Sequence, residues 1–213
     1  MKHPTYVINL KNRTERLRYI TAEFMRFQEF DLKIFTALED KNGAIGLYKS
    51  FKAVIKEVQT IGVEYVIICE DDHKFTADFD IDLLNKYIEI GAQSGMDILL
   101  GGASSIHDLI FVNDDLLWVD GFTGLQFTVV FKSFFSKILD LSLPEGGVLD
   151  IELGKISDDI FCIYPSISEQ EYFGYSDVTK KNNLIDVTEY FKKCRKKMDY
   201  FYLLTNYYNN LRD

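Results

Sequence analysis

Glu64-Tyr65-Val66-Ile67-Ile68-Cys69, followed at once by Glu70-Asp71-Asp72-His73, is the stretch on which the fold turns. Six residues with a continuous apolar middle read as a strand buried on both faces, the pattern of a parallel sheet. Met96 to Leu100 (MDILL) is a second run of the same kind. Working back toward the N-terminus, Leu47, Phe51, Val54, Ile55, Val58 and Ile61 keep helical spacing, and Gly62 stands where a helix ends. Glu39 to Gly46 reads as a polar, glycine-punctuated loop, and Asp31 to Leu38 as a strand. Before these, Thr5 to Leu10 is a short run of β-formers. Thr14 to Gln28 is an amphipathic helix with Leu17, Ile20, Phe24 and Phe27 on one face, Asn12 as its cap and Glu15 three residues later. Strands that alternate with helices predict an α/β fold built from β-α-β units.

Beyond Leu100 the pattern is less regular. Leu109 to Val112, Leu116 to Val119, Phe127 to Phe131 and Ile160 to Tyr164 read as strands, with helices at Ser133 to Leu141 and Asp150 to Ile156. From Asp186 the chain is helical again, basic at Lys192, Lys193, Arg195, Lys196 and Lys197 and then rich in tyrosine. The expected organisation is one domain over residues 1–185 and a helical extension over residues 186–213.

The 213 residues are 47% apolar and 27% charged, and 17 Phe, 13 Tyr and 1 Trp supply abundant core material. A chain of this size buries roughly 70% of its unfolded surface, which excludes general disorder. Twenty-four basic against 33 acidic residues leave a net charge of −9, which argues against nucleic acid as a partner. Cys69, Cys162 and Cys194 form neither a CxxC pair nor an even set, so buried thiols of a reducing compartment are expected. No run is long and apolar enough for a membrane span, and no secretion signal is visible. The expected location is the cytoplasm.

Three successive carboxylates after a buried strand are costly, and they stand where open α/β sheets bind ligands. Alternation along an extended segment directs Glu70 and Asp72 to one cleft and Asp71 elsewhere. A Mg²⁺ or Mn²⁺ ion would relieve their repulsion and bridge the phosphates of a nucleotide. The bland alternative is a solvated acidic turn. Asn9, Arg13, Arg16 and Arg18 follow the first strand beside the same sheet edge, where arginine and a helix start favour phosphate.

Tyr6-Val7-Ile8-Asn9-Leu10 with Arg13 and Arg16, then Gly43-Ala44-Ile45-Gly46 with Ser50, then Tyr65 to Asp72, resemble the ordered motifs of glycosyltransferase family 25. That family includes lipooligosaccharide galactosyltransferases. The resemblance extends more weakly over Phe127 to Leu139 and Pro165 to Asp177, and covers about two-thirds of the chain. It implies an A-type nucleotide-sugar glycosyltransferase fold, with a mostly parallel central sheet flanked by helices. It also implies a UDP-galactose donor, manganese at the acidic triplet, a bacterial surface-glycan acceptor of the lipopolysaccharide type, and transfer with inversion. Carried over residue by residue, Asp72 is the metal ligand, Glu70 and Asp71 lie near uridine and ribose, and Asn9, Arg13 and Arg16 line the donor pocket. The chain departs from the family at Leu47-Tyr48-Lys49-Ser50-Phe51, where members often have Ser-His after the second glycine.

An inverting transfer needs a carboxylate to take the acceptor's proton. Asp150 and Glu152, after the Gly146-Gly147 turn, are the candidates, with Asp120 a rival; ordinary helix-start acids are the alternative reading. Glu169, Gln170 and Asp177, in a polar segment flanked by aromatics, are candidate acceptor-binding residues. His73 is a candidate metal neighbour or a hydrogen-bonded bystander. The basic and aromatic C-terminus suits a packing helix with a solvated basic face, or peripheral contact with an anionic inner membrane face holding a lipid-linked acceptor. Two other functions stay open. One is a sugar-nucleotide or glycan-binding domain without turnover, and the other a metal-dependent phosphoester hydrolase.

Overall fold

A computed structural model describes residues 2–174 and 186–211. The first half runs β1 (His3–Asn9), α1 (Thr14–Phe24), β2 (Phe30–Thr36), α2 (Gly43–Ile61), β3 (Tyr65–Glu70), β4 (His73–Phe75), α3 (Ile81–Ser94) and β5 (Ile98–Leu100). The second runs β6 (Ser105–Asn113), β7 (Leu116–Thr123), β8 (Phe127–Phe131), α4 (Lys132–Asp140), α5 (Leu149–Lys155), β9 (Ile160–Ile163), β10 (Ser168–Gln170) and α6 (Thr188–Asn209).

Eight strands form one sheet in the order β2-β1-β3-β8-β5-β9-β7-β6. β1 pairs in parallel with both β2 and β3, and β5 with β9, while the other four pairings are antiparallel. Followed across the sheet, these pairings leave only β8 and β7 running against the rest, so the sheet is mostly parallel in direction.

Both faces are covered, as the apolar runs require. Val66 and Ile68 of β3 join Tyr6, Ile8, Ile98 and Leu100 in a core under α2, α4, α5 and α6. Ile67 and Cys69 join Val7 and Leu99 in a second core under α1 and α3. Strict alternation between the two cores explains why β1, β3 and β5 are apolar at successive positions. All three cysteines are buried and free. None of the described helices is long and apolar enough to cross a membrane.

Several local expectations need correction. Asn12 does not cap α1: Arg13 occupies the cap position, and its side chain makes no capping hydrogen bond. α1 stops at Phe24, short of Gln28, because Phe27 folds back to pack on Phe75 and Phe79, with ring centroids 4.8 and 4.6 Å apart. The segment read as a loop to Gly46 already turns helical at Gly43. There Asn42 Oδ1 accepts from the Ala44 N–H at 3.0 Å. Gly46 is a packing glycine, since a Cβ there would lie 2.9 Å from the Leu38 carbonyl oxygen. Gly62 ends α2 at φ 71°, the left-handed position that glycine accepts most readily. β6 and β7 form a hairpin longer than the two short apolar runs suggested. α3 and β4 had no counterpart in the sequence reading.

The two-stranded ribbon of β4 and β10 is small but decisive for the site. It pairs Gln170 with His73 and Ser168 with Phe75, which brings the segment after β10 beside the acidic triplet.

Candidate active site

The site forms beyond the carboxyl end of β3. Glu70 is the last residue of that strand, and alternation sends Glu70 and Asp72 to a cavity while Asp71 turns inward. Asp71 is only 2% exposed. Its carboxylate accepts from Asn9 Nδ2 at 2.9 Å, from Arg13 Nη1 at 3.1 Å to both oxygens, and from Arg16 Nη1 at 2.9 Å. This knot ties the exit of β3 to the end of β1 and the start of α1. It explains why an arginine can occupy a buried position on α1.

Asp72 is treated differently. Its Oδ2 accepts from the same Arg16 Nη1 at 2.9 Å, whereas its Oδ1 is buried and has no hydrogen-bond partner. The Phe173 ring covers the Arg16 guanidinium at 4.8 Å. Burial, and then the charge of Asp71, push the Asp72 carboxyl up to about 6. Glu70 is raised well above the carboxylate range by burial first, then by the charges of Asp72, Asp71 and Asp150.

Asp150, in the first turn of α5, faces this pair across the cavity. Its Oδ2 accepts from the Gly124 N–H at 3.1 Å and its Oδ1 from the Ile151 N–H at 2.9 Å; burial raises its carboxyl. The cavity has a volume of about 430 Å³. Its wall is completed by Ser104, Ser105 and Thr123 on one side and by Gln170, Glu171, Tyr172 and Tyr190 on another. Arg16 is the one cationic side chain among the described lining residues, against four carboxylates at Glu70, Asp72, Asp150 and Glu171.

The remaining candidates divide. Asn9, Arg13 and Asp71 stand behind the cavity wall in the buried knot, not among its described lining. Arg18 is exposed on the outer face of α1. Glu152 pairs with Lys155 at 2.8 Å and Glu169 lies 3.9 Å from Lys74, both outside the lining. Gln170 is in the lining, and Asp177 lies outside the described residues. Asp120 sits on exposed strand surface near His107 and Asp108. At the departure from the family pattern, Ser50 Oγ donates to the Gly46 carbonyl at 2.7 Å and Tyr48 OH to the Leu141 carbonyl at 2.6 Å, so both brace α2.

His73 turns away from the cavity. It is fully buried with Nδ1 2.8 Å from Ser168 Oγ, and Phe24, Phe75 and Phe127 surround its ring. Burial drives its pKa down to about 3, so the imidazole is neutral and fixes β10 against β4.

Ser104, Ser105, Thr123 and Tyr190 were missed in the sequence. A signal existed for the serines. Gly101-Gly102-Ala103-Ser104-Ser105 follows β5 and so also lies beyond the carboxyl end of a parallel strand. Gly102 admits no side chain because a Cβ there would run into the Ser168 carbonyl oxygen.

The chain matches no protein-family model and no curated protein. Among solved structures it is similar to A197 from STIV, with a TM-score of 0.53 and 14% identity over 83% of this chain and 87% of that one. The likeness is one of fold. Weaker alignments include apo UDP-glucose pyrophosphorylase (TM-score 0.47, 8% identity, covering 89% of this chain and 82% of that one). Another is a glycosyltransferase involved in the glycosylation of the major capsid of PBCV-1 (TM-score 0.41, 9% identity, covering 65% and 64%).

Proposed function

We propose that this chain is a metal-dependent glycosyltransferase that moves a hexose from a UDP-sugar to a carbohydrate acceptor. The observation that carries the reading is the convergence of Glu70, Asp72 and Asp150 on one cavity, with Asp72 Oδ1 buried and unpaired. A volume of about 430 Å³ suits a small polar ligand. The family resemblance makes UDP-galactose the first donor to try, and a bacterial surface glycan of the lipopolysaccharide type the first acceptor.

The donor set suits Mn²⁺ or Mg²⁺. It offers hard carboxylate oxygens, with neither thiol nor imidazole among the described lining residues. Burial first, and then the charges of neighbouring carboxylates, lift Glu70 and Asp72, and a dication would offset both. A diphosphate would otherwise meet four carboxylates and one arginine that is already engaged with Asp71 and Asp72. Asp72 would hold the ion with Glu70 beside it. Bound there, the ion would neutralise the charge of the leaving diphosphate.

The protein's own groups supply the rest. Arg16 orients Asp72 through Oδ2, while Oδ1 of this cavity-lining residue keeps no hydrogen-bond partner. Asp150, raised by burial, is suited to accept the acceptor hydroxyl's proton. As the hydroxyl oxygen bonds to the anomeric carbon, the bond from that carbon to the diphosphate oxygen breaks on the opposite face. The nucleoside diphosphate departs, and the configuration is inverted. Ser104, Thr123 and Gln170 offer hydrogen bonds to sugar hydroxyls, and Tyr172 and Tyr190 offer faces for C–H surfaces.

The test is calorimetric titration of UDP, UDP-galactose and UDP-glucose with and without Mn²⁺, on the native chain and on Asp72→Asn. Manganese-dependent binding that Asp72→Asn abolishes is the expected result. Binding that ignores both the ion and the substitution overturns the assignment. With an acceptor in hand, Asp150→Asn is expected to retain donor affinity and lose turnover.

A further inference from the structure

Helix α6 carries two apolar faces, and the fold uses only one. Phe191, Cys194, Met198 and Tyr202, spaced three or four apart, face inward: the first three are buried, the last three belong to the core, and the helix lies against β6 and β10. Tyr202 stacks near Phe111 and Tyr164 at 5.4 and 5.1 Å, and Tyr164 OH donates to Asp199 Oδ1 at 2.9 Å. On the opposite side the same spacing links Lys193, Lys196, Tyr200, Leu203 and Tyr207 and continues to Leu211 just past the helix. Tyr200, Leu203, Tyr207 and Leu211 are 60%, 66%, 60% and 64% exposed, although the inward face already satisfies the fold.

The charges on the helix sort in the same way. Lys192 pairs with Glu189, Arg195 reaches Asp78, and Lys197 donates to the Ile106 and His107 carbonyls. Glu189, one turn before Lys193 on the outward side, is offset by Lys192, and Lys193 and Lys196, which follow it in the stripe, make no ion pair among the described residues. The stripe is therefore cationic at one end and aromatic-aliphatic at the other, on a chain whose net charge is −9.

We propose that the outward stripe of α6 docks on an anionic lipid surface. Tyrosine is at home where water meets acyl chains, and lysine stems lie along such a boundary with their ammonium groups at the phosphates. The acidic body is repelled by anionic headgroups, so the stripe also sets the orientation. A second copy of the chain is a poorer occupant: four exposed side chains fall short of the roughly 800 Å² per partner of a stable interface. Val187 and Tyr190, at the start of the same helix, belong to the cavity wall. From Tyr190 to Tyr200 is about 15 Å along the helix axis. The docked protein would thus hold its cavity near the headgroups, and on the proposed transferase function this suits a lipid-linked acceptor. Membrane docking itself does not depend on that function.

Co-sedimentation with vesicles of phosphatidylcholine alone, and with vesicles enriched in phosphatidylglycerol, tests the proposal on the full chain. Sedimentation with the anionic vesicles only, weakened by salt, is expected. Lys193→Gln with Lys196→Gln is expected to weaken it about thirtyfold. Tyr200→Ser with Leu203→Ser and Tyr207→Ser is expected to abolish it, with an unchanged melting temperature because these residues are exposed. Failure to sediment with either vesicle overturns the proposal. So does a native dimer, seen by light scattering, that the serine variant dissociates, since the stripe would then belong to a second copy. Neither result touches donor binding, which is read by calorimetry.

Discussion

Two aspartates at opposite ends of the sheet, Asp97 buried and Asp72 partly so, meet their environments in opposite ways. Asp97, just before β5, is 4% exposed and accepts from Ser157 Oγ at 2.7 Å and Lys137 Nζ at 3.1 Å. Asp72, just after β3, receives one bond on Oδ2, while its Oδ1 is buried without any. The two acids are chemically identical and both are placed by strands, yet one is finished and the other is not. A buried polar atom left unpaired costs free energy, and at Asp72, which lines the cavity, the cation of the proposed function would recover that cost. Asp71 makes the contrast sharper within a single residue step, because both its oxygens are taken.

The largest effect is expected at Asp71. Replacing it with Ala leaves Arg16 buried beside a lost partner and removes the tie between β1, α1 and β3. Breaking a buried pair in this way costs about 3–5 kcal/mol, which urea unfolding would read directly. A loss below about 1 kcal/mol would mean that the knot is ornamental and that Asp71 belongs with the functional acids.

Next come the two aspartates themselves, with readouts that should separate. Asp97→Ala is expected to cost about 2–3 kcal/mol of stability, by stranding the Ser157 hydroxyl and the Lys137 pair, and to leave ligand affinity per folded molecule unchanged. Asp72→Asn is expected to weaken manganese binding about a hundredfold or more while leaving metal-free stability level or higher, because the repulsion with Asp71 and Glu70 is relieved. Equal loss of stability in both variants would erase the distinction.

Much of this frame can be read from the chain, and its limits are physical. The successive apolar positions of Val66 to Cys69 announce a strand between two cores, and the period of two separates Glu70 and Asp72 from Asp71. What alternation does not reveal is the partner set. Asn9, Arg13 and Arg16 look like phosphate binders beside a sheet edge, yet the fold turns their donors onto Asp71. The cavity wall is still less legible. It joins residues near 104, 123, 150, 171 and 190, which meet only through sheet order and the β4–β10 ribbon. No local period encodes such a meeting.

His73 adds a buried base to the comparison of acids. Its pKa is about 3 in the folded chain against 6.5 when exposed, so the unfolded state takes up the proton first. Its contribution is complete above pH 6.5 and is lost as the pH falls toward 3. Asp72, raised to about 6, acts in the opposite sense over pH 6 to 4, so the informative quantity is a difference between two curves. Between pH 7 and pH 5, His73→Gln is expected to gain about 2 kcal/mol relative to the native chain. Parallel stability curves would place the imidazole in contact with water.

The smallest effects compare two asparagines that look alike in sequence. Asn12 and Asn42 each precede a helical period, but only Asn42 bonds to a helix start, through Oδ1 to the Ala44 N–H at 3.0 Å. Asn12 lies in an exposed turn and Arg13 takes the cap position of α1, because the arginine must reach Asp71 from there. Asn42→Ala is therefore expected to cost about 1 kcal/mol and Asn12→Ala less than about 0.5 kcal/mol in thermal or urea unfolding. If Asn12→Ala proved the costlier of the two, Asn12 would be capping α1 after all, and the position of Arg13 on Asp71 would have to shift with it. The knot behind the cavity and the start of α1 stand or fall together, since one residue serves both.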